Sequence, residues 1–184
     1  MKKTLLLLPA LLLTACVGHQ PAQWPKPGEP LTSYEARGKV ALISPEGRDS
    51  ANLLWQNRQQ QYRLTLTSFI GTHVLTLKGQ PNQVSLETGD GTFEDTDAEY
   101  LLYRLTGWQL PVEDLPHWLQ GQPGDTGIIT EWDEQRRPRV LAGGGWRLRY
   151  QRWQQLGGRW LPARLELVHE QLKIKLQINQ WQPL

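Results

Sequence analysis

One cysteine, one methionine, two phenylalanines and only a slight excess of charge, 20 Lys and Arg against 18 Asp and Glu, mark this 184-residue chain. A lone cysteine excludes a disulfide framework and a structural zinc site built on several thiolates. The four histidines, His19, His73, His117 and His169, are scattered. No H-E-x-x-H, G-x-S-x-G, P-loop or dinucleotide glycine pattern occurs, so there is no catalytic constellation, metal site or cofactor site to argue from. Removing Lys2 and Lys3 with an N-terminal leader lowers the 20 basic residues to the same 18 as the acids. A neutral body argues against nucleic acid or an anionic membrane surface as the main partner, because either calls for a local excess of Lys and Arg. Apolar residues are plentiful at 39%, with nine Trp among them, which rules out disorder, and the length suits one domain.

Residues 1–15 read as a signal peptide, with Lys2 and Lys3 as the positive start and Leu5 to Leu13 as the apolar stretch. About 20 apolar residues are needed to cross a bilayer, and here His19, Gln20 and a proline-rich stretch follow instead. The end of the segment, Leu13-Thr14-Ala15-Cys16, resembles the bacterial lipobox. That resemblance implies an S-diacylglycerol and an N-acyl group on Cys16 after cleavage. Val17 stands where Gram-negative lipoproteins retained at the inner membrane carry Asp, which favours the periplasmic face of the outer membrane. Residues 16–31 then form a tether, because Pro21, Pro25, Pro27, Gly28 and Pro30 suit neither helix nor inner strand. It should be extended and mobile, reaching at most about 50 Å.

Residues 32–184 are dominated by a period of two. Leu64 and Leu66, Leu75 and Leu77, Val84 and Leu86, Trp146, Leu148 and Tyr150, and Leu172, Ile174, Leu176 and Ile178 each alternate with polar neighbours. Turn signals at Pro45-Glu46-Gly47, Gln80-Pro81-Asn82, Gly89-Asp90-Gly91 and Gly157-Gly158 separate these runs into about 9–11 antiparallel strands. Two helices interrupt them. Thr96 and Glu99 predict a capping box for a helix whose Ala98, Leu101, Leu102 and Leu105 form one apolar stripe, stopped by Gly107. A shorter helix is predicted from Glu113 to Gln120, with Leu115, Trp118 and Leu119 on one side. Strands on both sides of the pair exclude βαβ crossovers. The fold class is mainly β with a few helices: an incomplete, half-open antiparallel barrel whose concave apolar face the helices cover.

Several features invite chemistry and do not support it. Gly143-Gly144-Gly145 precedes a strand rather than a helix, so it reads as a hairpin turn. Glu94, Asp95, Asp97 and Glu99 suit the positive end of a helix. Asp133 and Glu134 are adjacent on an expected strand and would face opposite ways. The tryptophans sit in apolar patterns with no basic groove beside them and read as filling for a curved sheet.

One segment breaks the local rules. Ser68-Phe69-Ile70-Gly71 joins two strands, and a hairpin tip normally carries Asn, Asp, Gly or Ser rather than adjacent Phe and Ile. Either the tip folds back onto the core, or it is solvated and meets lipid or a partner, since exposure forfeits ~1.5–3 kcal/mol of burial per side chain.

The lipobox, Tyr34-Glu35-Ala36-Arg37-Gly38, Trp55-Gln56, Tyr62-Arg63-Leu64 running into Phe69-Ile70-Gly71, Leu105-Thr106-Gly107, Trp118-Leu119-Gln120-Gly121 and the strand ending at Trp181 appear in this order along the chain. Together they resemble the LolB family of outer-membrane lipoprotein receptors. The resemblance implies a half-open β-barrel with an apolar cavity, and a monomer that takes triacylated lipoproteins from the periplasmic carrier LolA and inserts them into the outer membrane, without catalysis or ATP. It also implies a protruding membrane-insertion loop at Phe69, Ile70 and Gly71, with Ile70 where the family typically has Leu. Family members can carry a helix before the Y-x-x-R-G segment, whereas the prolines here leave room for little more than a turn around Leu31 to Glu35. The competing expectation is a structural or assembly lipoprotein whose filled β-domain docks another envelope protein.

Overall fold

The computed structural model describes Trp24, Glu29 and residues 31–184. Cys16, the signal peptide and most of the tether lie outside the described residues. Eleven strands build one antiparallel sheet: β1 (Ser33–Ser44), β2 (Gly47–Arg58), β3 (Gln61–Thr67), β4 (His73–Gln80), β5 (Gln83–Thr88), β6 (Gly91–Asp95), β7 (Gly127–Trp132), β8 (Pro138–Gly143), β9 (Trp146–Leu156), β10 (Arg159–His169) and β11 (Leu172–Pro183). Helices α1 (Ala98–Thr106) and α2 (Leu115–Trp118) lie between β6 and β7.

The spatial order is β6-β5-β4-β3-β2-β1-β11-β10-β9-β8-β7. Two meanders, β1 to β6 and β7 to β11, are thus zipped together through the first and last strands. The sheet stays open, with β6 and β7 as its two edges, and the chain between those edges, residues 96–126, crosses the concave side. Alternation explains why one face is apolar. Val40 and Leu42, Leu53 and Trp55, Leu64 and Leu66, Leu75 and Leu77, Leu165 and Leu167, and Ile174, Leu176 and Ile178 all point inward and are buried, while their strand neighbours, the buried Thr76 excepted, are exposed or half-buried.

The expected cap of α1 is corrected. Its N-cap is Asp97, whose carboxylate accepts from the backbone N–H of Tyr100 at 2.8 Å, one position after Thr96. An ionised carboxylate at the positive end of the helix dipole outcompetes a neutral hydroxyl there. The second helix is a single turn, Leu115–Trp118, rather than Glu113 to Gln120. No turn of helix precedes the sheet among the described residues: β1 starts at Ser33. Asp133 and Glu134 lie in the β7–β8 turn rather than on a strand. There the Asp133 carboxylate accepts from the backbone N–H of Gln135 and Arg137 and pairs with Arg137 Nε at 2.7 Å. Gly144 and Gly145 form the β8–β9 turn, as the sequence indicated.

Three described residues of the expected tether, Trp24, Glu29 and Leu31, contact the body. Trp24 packs against the core and covers Gly157 at the β9–β10 turn, Arg159 donates to the Glu29 carbonyl at 2.9 Å, and Leu31 is buried. The body that follows Val17 therefore contains the whole described core.

Candidate functional site

The concave face and its cover are one continuous apolar body. Leu101 and Leu102 of α1 are fully buried against β4, β5 and β6, and Leu105 is half-buried at the end of the stripe. Beyond the helix, Leu110, Pro111, Val112, Leu115, Trp118 and Leu119 descend into the concavity and are buried too. Sequence reading placed Leu115, Trp118 and Leu119 on one side of a helix but gave Leu110 and Val112 no role, since they lie in irregular chain with no periodic signal. Between this segment and Val40, Trp55, Leu66 and Ile174 a wholly apolar void of about 20 Å³ remains. That is room for about one water molecule, not for an acyl chain. The hollow is occupied by its own cover.

Few polar bonds hold the deepest part. The hydroxyl of Tyr34 on β1 donates to the Pro116 carbonyl at 2.8 Å, and that of Tyr150 on β9 donates to the Trp118 carbonyl at 2.8 Å. Burial pushes both phenols well above their ordinary pKa, so each remains a donor throughout the accessible pH range. Within the cover, Trp118 Nε1 donates to the Pro123 carbonyl at 3.1 Å and Gln120 to the Pro116 carbonyl at 2.8 Å. These keep α2 a compact unit that the two tyrosines grip from opposite halves of the sheet. Removing either hydroxyl takes one buried donor from a carbonyl that keeps a second, Gln120 at Pro116 and the Gly121 N–H at Trp118. Tyr34→Phe and Tyr150→Phe are each expected to lower stability by about 0.5–1.5 kcal/mol in urea unfolding and to increase binding of an apolar dye. Unchanged midpoints and unchanged dye binding would show that the tyrosines do not hold the cover.

Acids mark the cover's outer side. The Glu99 carboxyl of α1 is pushed up to about 7 by partial burial and by the nearby Glu113, Asp114 and Asp97 carboxylates, against a hydrogen bond from the backbone N–H of Glu113.

The tip between β3 and β4 is solvated, which resolves the alternative left open by the sequence. Ile70 is 91% exposed and Phe69 62%. The turn beneath them is tightly bonded: Ser68 N–H donates to the Thr72 carbonyl at 2.8 Å, Gly71 N–H to the Ser68 carbonyl at 3.0 Å, and Asn52 to the Ser68 carbonyl at 2.9 Å. Gly71 closes the turn at φ 85°, in the left-handed region that glycine occupies without strain. Two large apolar side chains are thus held out in water by a rigid turn, at a cost in exposure that packing elsewhere does not recover.

The family model described as "Outer membrane lipoprotein LolB" matches residues 32–181. Outer-membrane lipoprotein LolB of Shewanella loihica is 38% identical, over 96% of this chain and 86% of the relative. That of Tolumonas auensis is 36% identical, over 93% of this chain and 91% of the relative. Among solved structures, a LolA superfamily protein from Nitrosomonas europaea superposes with a TM-score of 0.53 at 11% identity, covering 84% of this chain and 87% of that one. A DUF1329 family protein from Desulfovibrio piger gives 0.51 at 5% identity, with the same coverage. At those identities the two structures speak for the fold alone, an open antiparallel sheet with a covered concave side. Family model and full-length relatives agree on the rest: the chain belongs to the LolB family of outer-membrane lipoproteins.

Proposed function

We propose that this protein is an outer-membrane-anchored receptor that takes the acyl chains of triacylated lipoproteins from the periplasmic carrier LolA into its concave face and releases them into the outer membrane, acting as a monomer without catalysis. Family membership supports the receptor role and the outer-membrane location. The observation that carries the mechanism is the apolar hollow filled by a cover, residues 96–126, joined to the sheet at both of its edges.

The difficulty such a protein meets is energetic. Three acyl chains of about fifteen methylenes each, at ~0.8 kcal/mol per methylene, would cost on the order of 35 kcal/mol to hold in water. When the cover lifts, the apolar surfaces of Trp55, Leu64, Leu66 and Leu176 exchange a protein partner for acyl chains and remain out of water. Uptake therefore replaces one apolar contact by another and leaves a small net free energy to overcome. A difference of ~1.4 kcal/mol between carrier and receptor then biases transfer tenfold, with the bilayer as the final sink. Cys16, carrying S-diacylglycerol and N-acyl groups, anchors the receptor. Phe69 and Ile70, with Gly71 shaping their turn, enter the lipid and assist release. Leu101, Leu102 and Leu105 form the lid's inner stripe.

The test uses the unlipidated chain from Val17, mixed with carrier loaded with a triacylated lipoprotein. Cargo is expected on this chain after pull-down. Cargo left on a carrier that delivers to another family member would overturn the receptor reading in favour of a docking lipoprotein.

A further inference from the structure

The strand register gathers charge that the composition hides. Facing outward from the sheet, Lys39 on β1 is opposite Gln177 on β11, Gln177 opposite Arg164 on β10, and Arg164 opposite Arg152 on β9. The next outward rung runs Ala41, Lys175, Glu166, Arg149, and the one after it Ile43, Lys173, Val168, Arg147. These twelve positions hold seven basic residues and one acid. Among the described residues, ion pairs engage only Lys175 of these, with Glu166 at 3.8 Å, and Arg147, with Glu131 at 3.7 Å. The acids that balance the total are elsewhere: residues 87–125 contain half of the 18, with Arg104 as their sole basic residue. The neutral body thus has an acidic cover and a basic back. The expectation that no local excess of Lys and Arg exists is corrected, because composition sums over faces that the register keeps apart.

The basic face meets the exposed tip. Phe69 shares a groove of about 360 Å³ with Lys39, Arg48, Arg164, Lys175 and Gln177. The Lys39 ammonium lies 5.6 Å from the centroid of the Phe69 ring. Cations set beside Phe69, next to the exposed Ile70 in the chain, match a leaflet in which phosphates overlie acyl chains. We propose that this outward face of β1 and β9–β11, with Arg48 of β2, binds the phosphate-bearing headgroups of anionic phospholipids and seats the domain with Ile70 directed into the bilayer. This rests on the reading of Phe69 and Ile70 as residues that enter lipid. It adds an orientation: basic back on the leaflet, acidic cover toward the periplasm and the incoming carrier.

The experiment is sedimentation of the unlipidated chain from Val17 with vesicles of phosphatidylcholine alone or with about 30% phosphatidylglycerol, at low salt and at about 0.5 M salt. Binding is expected to be roughly tenfold tighter on the phosphatidylglycerol vesicles and to lose that preference at high salt. R164Q/K175Q should weaken it ~5-fold, whereas R63Q/K78Q, which removes the same charge where β3 and β4 lie opposite the start of β1, should cost less than ~2-fold. All four positions are outward on strands, and thermal unfolding checks that both variants fold. Equal binding to the two vesicles, still dependent on Ile70, would overturn the headgroup site and leave the insertion reading intact. Equal losses in the two variants would reduce the effect to net charge and overturn the site as well. Loss of cargo acceptance in R164Q/K175Q without any phosphatidylglycerol preference would assign the face to an acidic protein instead. Acceptance of cargo by the unaltered chain is measured in parallel, so failure of the receptor reading is seen separately.

Discussion

Replacing Ile70 with glutamate is expected to leave uptake of cargo from a loaded carrier intact and to stop its delivery to vesicles. Ile70 stands 91% exposed on a turn fixed by its own hydrogen bonds, outside the concavity, so a change there alters neither the lining nor the cover. In the bilayer the substitution acts twice. It forfeits ~1.5–3 kcal/mol of apolar burial and adds the cost of bringing a carboxylate toward hydrocarbon, together enough to reduce insertion roughly a hundredfold or more. Ile70→Leu, which keeps the apolar volume, should deliver at close to the unaltered rate. Pull-down from the carrier and transfer to vesicles, measured side by side, separate the two steps. Equal loss of both would sink the assignment of this loop.

The second large effect belongs to stability. In the pairing of β1 with β11, Arg37 lies opposite Gln180 and Gly38 opposite Ile178, so one residue of β11 is skipped and the register shifts at Gly38. The bulge draws the two backbones so close that a Cβ on Gly38 would collide with the Gln177 carbonyl, a backbone atom that cannot swing aside. Gly38→Ala must therefore open the central strand pair or distort it. A cost of about 3 kcal/mol is expected, lowering Tm by roughly 6–12 °C for a domain of this size. Gly89→Ala is the control, because a Cβ there meets open space at an ordinary φ, and it should shift Tm by less than about 2 °C. A similar small shift for Gly38→Ala would mean that the bulge relocates. The same contact gives a physical reason for the glycine in Tyr34-Glu35-Ala36-Arg37-Gly38, which the sequence presents only as a motif.

Legibility followed the range of each interaction. Alternation and turn residues are local, so Leu64 to Leu66, Leu172 to Ile178 and the hairpin glycines could be read directly as strands and turns of a mainly β sheet. Ile70 could be singled out because it breaks a local rule. The grip of Tyr34 on Pro116 and of Tyr150 on Trp118 joins residues 82 and 32 positions apart, and nothing near either tyrosine announces its partner. The filling role of Leu110 and Val112 was equally silent, since irregular chain has no period to detect. The basic back needed the register itself. Alternation says that Lys173 and Lys175 share a face, but only the β1-β11-β10-β9 order sets them beside Lys39, Arg164 and Arg149.

The pairing of the first strand with the last also governs when the domain can become whole. Tyr34 is opposite Pro183, so the central ladder joins residues ~150 apart, and closing such a loop costs about 4 kcal/mol before any contact repays it. During export the β1–β6 meander emerges first and folds by short hairpins, while β1 keeps one unpaired edge until β11 has left the translocation channel. Such high contact order makes this docking the slow step. Until then Val40 and Leu42 lack their neighbours Ile174 and Leu176, and the nascent chain exposes an apolar seam and an open strand edge that invite association with other chains. A truncation that removes β11 should thus produce an aggregating half-sheet, because β1 then keeps an open edge beside exposed Val40 and Leu42.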